Sequence, residues 1–175
     1  ILIANPNPEP ATVTVTYLLT GGGTLVRTVT VPPTSRQTIY VNAEQEAGLS
    51  LANASVSAAI HADVPIVVER TMWWPSGGFT ATWQEAHNAA GVARTGTRWG
   101  LADGEQGGTR ETDTYIVVAN TSPFPGAVQV TLLFEDGTTG VCGLGPLAAS
   151  SRTTFYMGDC AAAANRRFGA VVESL

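Results

Sequence analysis

The chain contains an internal sequence repeat, and this repeat limits its possible folds more than any other feature. Residues 1–19 align with the segment near residues 117–134, in which Asn5 falls on Asn120 at an offset of 115 positions. Further along, the seven-residue segment SRQTIYV that begins at Ser35 matches SRTTFYM at an offset of 116. The matches keep their order along the chain. A repeat of this kind predicts two copies of one structural unit, near residues 1–92 and 93–175.

Each copy has the pattern of antiparallel β-structure. In the first copy, Val13, Val15 and Tyr17 alternate with threonines, which is the period-two pattern of a half-buried strand. Glycines 21–23 predict a hairpin turn after this strand, and Asp136–Gly137 stands at the same place in the second copy. Short strands separated by turn signals favour an all-β sandwich over a parallel α/β sheet.

Composition and charge exclude several classes of protein. The chain is 44% hydrophobic, which is too apolar for intrinsic disorder. Its net charge of −5 arises from nine basic and fourteen acidic residues, whereas nucleic-acid binding needs a basic face. No run of 18 apolar residues occurs, so we expect no membrane insertion.

The two cysteines, Cys142 and Cys160, allow two interpretations. If strands over 141–147 and 152–157 pair across a turn at 148–151, the two sulfur atoms come within reach of a disulfide. Such a bond indicates an oxidising compartment outside the cytoplasm. The alternative is a pair of unlinked, buried thiols.

Several motifs together resemble one family of repeat modules. They are the strand W-x-L-A-D-G from Trp99, the segment P-I-V-V-E-R-x-M-W-W from Pro65, and E-x-H-N-x-x-G from Glu85. In this combination they are similar to tandem immunoglobulin-like β-sandwich modules of large secreted or cell-surface bacterial proteins. The resemblance implies an extracellular structural or adhesive module whose partners are neighbouring copies of itself or adjacent repeats. It supplies no catalytic residues.

The order of these motifs leads to a further expectation. In the family order a module begins with the W-x-L-A-D-G strand and ends after P-I-V-V-E-R, so the first copy lacks a leading strand and the second a closing one. One explanation is that the chain belongs to a longer array. The other is strand exchange between subunits, because unpaired strand edges bind further strands.

The chain carries little that indicates catalysis, and we expect no enzyme. His61 lies near the predicted end of a strand, and His87 stands beside Glu85 and Asn88 in the segment that joins the copies. We favour a structural role for both histidines, with His87 in a hydrogen-bonded turn, because catalysis requires convergent groups. No nucleophile elbow, phosphate loop or H-E-x-x-H motif occurs.

Two clusters suggest ligands. Four carboxylates among glycines resemble an oxygen-rich calcium loop, although their spacing is not that of an EF-hand and a solvated loop is the simpler interpretation. These residues are Asp103, Glu105, Glu111 and Asp113. The tryptophans Trp73, Trp74 and Trp83 suggest polysaccharide binding by stacking, or an interface between modules. Apart from calcium, we expect no cofactor.

Four charged residues indicate a structural role. Arg36 and Arg152 occupy the same strand start in the two copies, where each can bind a carboxylate or backbone carbonyls. Glu69 and Arg70 are neighbours in a strand, so their side chains point to opposite faces and do not pair with each other.

Overall fold

The computed structural model describes residues 1–74 and 85–175, and in these ranges the regular elements are β-strands and short 3₁₀ turns. The chain divides into two compact units. Unit 1 comprises Ile1–Thr16, Leu25–Ala54 and Ala58–Arg94, and unit 2 comprises Tyr17–Thr24, Ser55–Ser57 and Thr95–Leu175.

The strands are numbered in chain order. They are β1 (Leu2–Asn5), β2 (Ala11–Leu19), β3 (Thr24–Val31), β4 (Ser35–Thr38), β5 (Gln45–Glu46), β6 (Leu49–Ser50), β7 (Val56–Ala62), β8 (Val67–Trp74), β9 (Glu85–Ala90), β10 (Arg98–Gln106), β11 (Tyr115–Asn120), β12 (Gly126–Phe134), β13 (Thr139–Leu147), β14 (Ser151–Tyr156) and β15 (Arg166–Ser174). The 3₁₀ turns are Val41–Ala43, Met157–Asp159 and Ala161–Ala163.

The strands form several antiparallel sheets. The first part of the chain contributes the sheets β4-β1-β8-β9 and β3-β2-β7 and the small hairpin β5-β6. The second part contributes β10-β15-β12-β13 and the pair β11-β14. The fold is therefore all-β, as the sequence predicts.

The predicted alternation along β2 is confirmed. Val13, Val15 and Tyr17 are fully buried, whereas the threonines between them, Thr14 and Thr16, are half-buried. Burying an apolar side chain of this size contributes about 1.5–3 kcal/mol, so this face of β2 holds the strand against the core. The counterpart strand β12 buries Val128, Val130 and Leu132 in the same way.

Two sheets of unit 2 share one core. Its buried residues come from β12, β13 and β15 on one side and from β11 on the other, with Met157 and Ala163 from the 3₁₀ turns. A core shared by two antiparallel sheets is consistent with a β-sandwich.

The repeat is also a repeat of strand pairing. β1 pairs with β4 as β11 pairs with β14, and β2 lies between β3 and β7 as β12 lies between β13 and β15. The predicted turn at glycines 21–23 joins β2 to β3, and Asp136–Gly137 joins β12 to β13. The same order of pairing in both copies explains why the sequence matches keep their order.

One asparagine in each copy ties two turns together. The Asn5 side-chain amide donates to the carbonyls of Glu9, Val31 and Pro32, at 2.8, 3.1 and 3.1 Å. In the second copy, the Asn120 amide donates to the carbonyls of Phe124 and Ala148 at 3.0 and 2.9 Å. The repeated asparagine is therefore a structural residue that satisfies carbonyl groups where the chain reverses.

The cysteines form a disulfide. Cys142 on β13 is bonded to Cys160, with Cα atoms 5.4 Å apart and a sequence separation of 18. The hairpin from which we expected this bond is wrong, because β13 pairs with β12 and β14 pairs with β11. The connection between β13 and β14 thus crosses from one sheet to another, and the disulfide links β13 to the segment that follows β14. Such a bond is typical of a non-reducing environment.

The described part of the segment that joins the copies, from residue 85 onward, contains two strands. β9 and β10 lie within it, and β9 continues the sheet of β8. In residues 1–74 and 85–175, no helix has the length and apolar character needed to cross a membrane.

Candidate interaction surfaces

Strands β8 and β9 pair with each other beyond the residues at which β8 pairs with β1. β1 pairs with β8 only from Val67 to Glu69, whereas β9 pairs with β8 from Glu69 to Trp74. The residues of β8 after Glu69 thus form a two-stranded ribbon with β9. This ribbon carries exposed apolar side chains, with Met72 43% exposed and Trp73 51% exposed.

One face of the ribbon carries two stacked aromatic rings. The rings of Trp73 and Tyr40 have centroids 6.1 Å apart and planes inclined by 25°. Tyr40 is 50% exposed, so both rings remain open to solvent. Stacked, half-exposed rings offer an apolar surface to a flat ligand or to a partner protein.

A row of polar side chains continues the same face. Thr71 Oγ1 donates to Asn88 Oδ1 at 3.1 Å, and Asn88 Nδ2 donates to Glu69 Oε2 at 3.3 Å. The carboxylate of Glu69 retains acceptor capacity for further hydrogen bonds. We call the surface formed by Tyr40, Glu69, Thr71, Trp73 and Asn88 the ribbon face. It combines ring stacking with hydrogen bonding.

Two of the three tryptophans suggested as binding or interface residues lie in the described part of the chain. Trp73 lies on the ribbon face, and Trp74 is the last residue of β8. Trp83 lies outside the described residues. Sequence reasoning missed Tyr40 as the partner of Trp73, although the repeat aligns Tyr40 with Tyr156, which also stacks on a ring, that of Tyr115.

The histidines lie in exposed parts of strands. His61 is on β7, two residues before Asp63, whose carboxylate accepts the Thr12 backbone N–H at 2.8 Å. This hydrogen bond lowers the pKa of Asp63. The turn expected around His87 is wrong, since His87 lies opposite Met72 in β9. Because His87 and Asn88 are consecutive in a strand, their side chains point to opposite faces and do not form a polar cluster.

The single loop expected to carry the four carboxylates is wrong, because Asp103 and Glu105 lie on β10. Two of the four carboxylates, those of Glu105 and Asp113, have partners within unit 2. Glu105 forms an ion pair with Arg110, and its Oε2 lies 4.0 Å from Arg167 Nε. The Asp113 carboxylate accepts hydrogen bonds from Tyr156 Oη at 2.7 Å and from Gln106 Nε2 at 2.9 Å. These hydrogen bonds lower the pKa of Asp113, and the bond to Asp113 raises the pKa of Tyr156.

Asp103 and Glu105 line a cavity of about 330 Å³, and Glu111 is exposed nearby with φ of 50°. Across the part of the chain that is described, no three His, Cys, Asp or Glu side chains are grouped as they would be around a metal ion. Calcium binding by these acids stays a prediction.

The charged residues assigned a structural role have the following contacts. Arg36 Nη2 donates to Thr38 Oγ1 at 3.2 Å, on the short strand β4. Arg152 is half-buried on β14. Glu69 accepts the hydrogen bond from Asn88 on the ribbon face, while Arg70 is exposed at the next position of β8.

Two strands that are internal in their sheets have counterparts in the other copy that lie at a sheet edge. β15 lies between β10 and β12, whereas its counterpart β7 pairs with β2 alone among the described residues. Conversely, β1 lies between β4 and β8, whereas its counterpart β11 pairs only with β14 in the same ranges. Each open edge presents backbone N–H and C=O groups that a further strand can bind.

Comparison with known proteins gives no match to a family model, to a curated protein or to a solved structure.

Proposed function

We propose that the chain is an extracellular structural module of a bacterial cell surface, built from two tandem immunoglobulin-like β-sandwich domains near residues 1–92 and 93–175. It acts as a spacer, adhesive or filament-forming subunit through rigid packing and strand addition. Its partners are neighbouring copies of itself or adjacent repeats of the same protein. The proposal assigns no chemical reaction to the chain.

The observation that carries this proposal is the complementary pattern of open edges. Among the described residues, β7 has an open edge where its counterpart β15 pairs with β10. In the same way, β11 has an open edge where its counterpart β1 pairs with β8. A long unpaired edge is a site for adding a strand from another chain or module. If the contacting surfaces differ and do not close into a ring, such addition generates a filament.

Two further features support the location. The disulfide between Cys142 and Cys160 is suited to a compartment outside the cytoplasm. The motifs that resemble secreted repeat modules point to the same place, a bacterial surface.

The test is self-association of the purified chain, followed by analytical ultracentrifugation and electron microscopy at increasing concentration. Met157 N–H donates to Thr114 O, so along β11 the backbone of Val117 faces the open edge. We therefore expect Val117→Pro to weaken association by removing an edge N–H group. Val117→Thr keeps that group and is the matched control. A chain that remains monomeric at millimolar concentration would contradict the proposal.

The ribbon face favours a second candidate function, carbohydrate binding. Its exposed ring pair provides stacking for a sugar ring, and Glu69, Thr71 and Asn88 provide hydrogen bonds for hydroxyl groups.

A panel of bacterial and plant polysaccharides tests it by affinity electrophoresis. Trp73→Ala is expected to weaken retardation about tenfold, which corresponds to the roughly 1.4 kcal/mol of one aromatic contact. Trp99→Ala is the control, because Trp99 is 40% exposed on β10 and is not one of the residues of the ribbon face. Equal binding by the Trp73 variant and the unmodified chain would exclude this site.

A further inference from the structure

We propose that the open edge of β7 binds one further antiparallel strand, and that the strand it fits is a β10-type strand supplied by another copy of the repeat. This inference rests on the proposed assembly function and names the strand that takes part. It is argued from the strand that covers the equivalent edge in the second copy.

The correspondence between β7 and β15 is fixed by backbone hydrogen bonds. Asp63 N–H donates to Thr12 O at 3.3 Å, and Leu175 N–H donates to Ala127 O at 3.0 Å. Thr12 and Ala127 are equivalent in the repeat, so Asp63 corresponds to Leu175. Counting back along the two strands, the pairs of equivalent residues are Ala62 with Ser174, Ile60 with Val172, and Ala58 with Ala170.

In the second copy, β10 covers these positions. Ser174 N–H donates to Thr97 O at 2.8 Å, Trp99 lies opposite Val172, and Leu101 lies opposite Ala170. Since hydrogen-bonded pairs alternate along an antiparallel ladder, every second residue of β15 directs its backbone to β10. By the same alternation, Ala58, Ile60 and Ala62 direct their backbone groups to the open edge of β7.

Burial differs between the two strands in the direction that this comparison predicts. Ala170 and Val172 are 2% and 6% exposed. Their counterparts differ, since Ala58 is exposed and Ile60 is only half-buried. A strand added at β7 would therefore pair with the free backbone groups of its edge. It would also cover apolar side chains of β7 whose counterparts in β15 are already buried.

Two contacts of β10 depend on residues of β15 that β7 does not have. A Cβ atom added to Gly104 would meet the Phe168 ring at 2.5 Å, whereas the counterpart of Phe168 is the smaller Val56. Arg98 pairs with Glu173 at 3.2 Å, whereas the counterpart of Glu173 is His61. We therefore expect neither Gly104 nor Arg98 to be required in a strand that binds β7.

The first experiment uses a fluorescein-labelled peptide of residues 96–106 and the full chain, with fluorescence anisotropy as the readout. Saturable binding is the expected result. Ala62→Pro removes the N–H that corresponds to the Ser174 donor, so affinity should fall at least tenfold. Ala62→Val retains that N–H and should bind as the unmodified chain does. Circular dichroism and the urea midpoint establish that both variants are folded.

Peptide variants test the register. Leu101→Pro in the peptide removes an N–H that faces β15 in the second copy, so it should abolish binding. Arg98→Ala should change the affinity less than threefold. Binding that is unaffected by both proline substitutions would show that the peptide does not extend the sheet, and it would overturn the proposal.

A covalent version provides the second measurement. Ile1 aligns with Ile116, so fusing residues 97–115 ahead of Ile1 reproduces the spacing between β10 and β11. The amides of Ala58, Ile60 and Ala62 should then exchange with solvent at least tenfold more slowly. Unchanged exchange in the fusion, together with no peptide binding, would overturn the inference.

Failure of this inference is separable from failure of the proposed function. A chain that self-associates while β7 binds no β10-type strand retains the assembly function but uses another surface. A chain that binds the peptide yet stays monomeric has the strand-binding edge without the proposed assembly function.

Discussion

The disulfide of unit 2 makes a quantitative prediction about stability. Cys142 and Cys160 are separated by 18 positions. Closing a loop of this length removes about 11 cal/mol/K of entropy from the unfolded chain, or roughly 3 kcal/mol at 25 °C. For a unit of this size, 1 kcal/mol corresponds to about 4–8 °C in the unfolding midpoint. Reduction should therefore lower the midpoint of unit 2 by about 10 °C or more.

The assay is thermal unfolding followed by circular dichroism, with and without a phosphine reductant. The double variant Cys142→Ala and Cys160→Ala serves as the control, because it lacks the bond and should not respond to the reductant. Alanine suits the site, since Cys142 is 4% exposed among apolar neighbours. The unfolding midpoint of the double variant should lie near that of the reduced, unmodified chain.

A shift of less than about 2 °C on reduction would refute this reasoning. It would mean that the unfolded chain is already as compact as the bond makes it, or that the bond does not form. Quantifying free thiols before and after unfolding distinguishes these two outcomes.

Three further predictions concern the repeat and its packing. Asn5→Ala should lower the free energy of unfolding by about 2–4 kcal/mol in urea denaturation, because Asn5 is 1% exposed and its loss removes the amide that donates to the carbonyls of Glu9, Val31 and Pro32; a loss under 0.5 kcal/mol would contradict its structural role. The bond between Tyr156 and Asp113 should stabilise unit 2 between about pH 4 and pH 10. Asp113, with a lowered pKa, loses this contribution as the pH falls through its folded pKa, and Tyr156, with a raised pKa, loses it as the pH rises through its own. Asp113→Asn should flatten both ends of a profile of urea midpoint against pH, and an unchanged profile would argue against it. Gly104→Ala should cost about 1–3 kcal/mol because its Cβ would meet the Phe168 ring at 2.5 Å, while Gly126→Ala, with nothing within 4 Å, is the control; equal stability of the two variants would contradict this packing.

The repeat and the local patterns made much of the fold predictable. The alternation around Val13 and Val15 identified β2 and its buried face, and the glycine-rich turn identified the hairpin to β3. These features depend on neighbouring residues, whose spacing is visible in the sequence.

The assignment of strands to sheets was less predictable. The turn between β13 and β14 has the composition of a hairpin, yet the two strands pair with β12 and β11. A turn sequence specifies that the chain reverses, but the partner of each strand depends on which apolar face the rest of the core covers. The disulfide was therefore anticipated correctly from an incorrect strand pairing.

The ribbon face shows the same limit. Trp73 was a candidate from its residue type, but its partner Tyr40 lies in another segment and is brought beside it by the pairing of β1 with β4 and β8. Likewise, His87 and Asn88 appeared as a cluster in sequence, and the strand β9 separates their side chains.

Amide hydrogen exchange on the unmodified chain tests the central claim, that one strand arrangement occurs twice with different edges covered. The amides of Ala170, Val172 and Ser174, which face β10, should exchange slowly, and those of Ala58, Ile60 and Ala62 should exchange at least tenfold faster in dilute solution. Equal protection of the two sets would contradict the claim that β7 has an open edge where β15 has a neighbour.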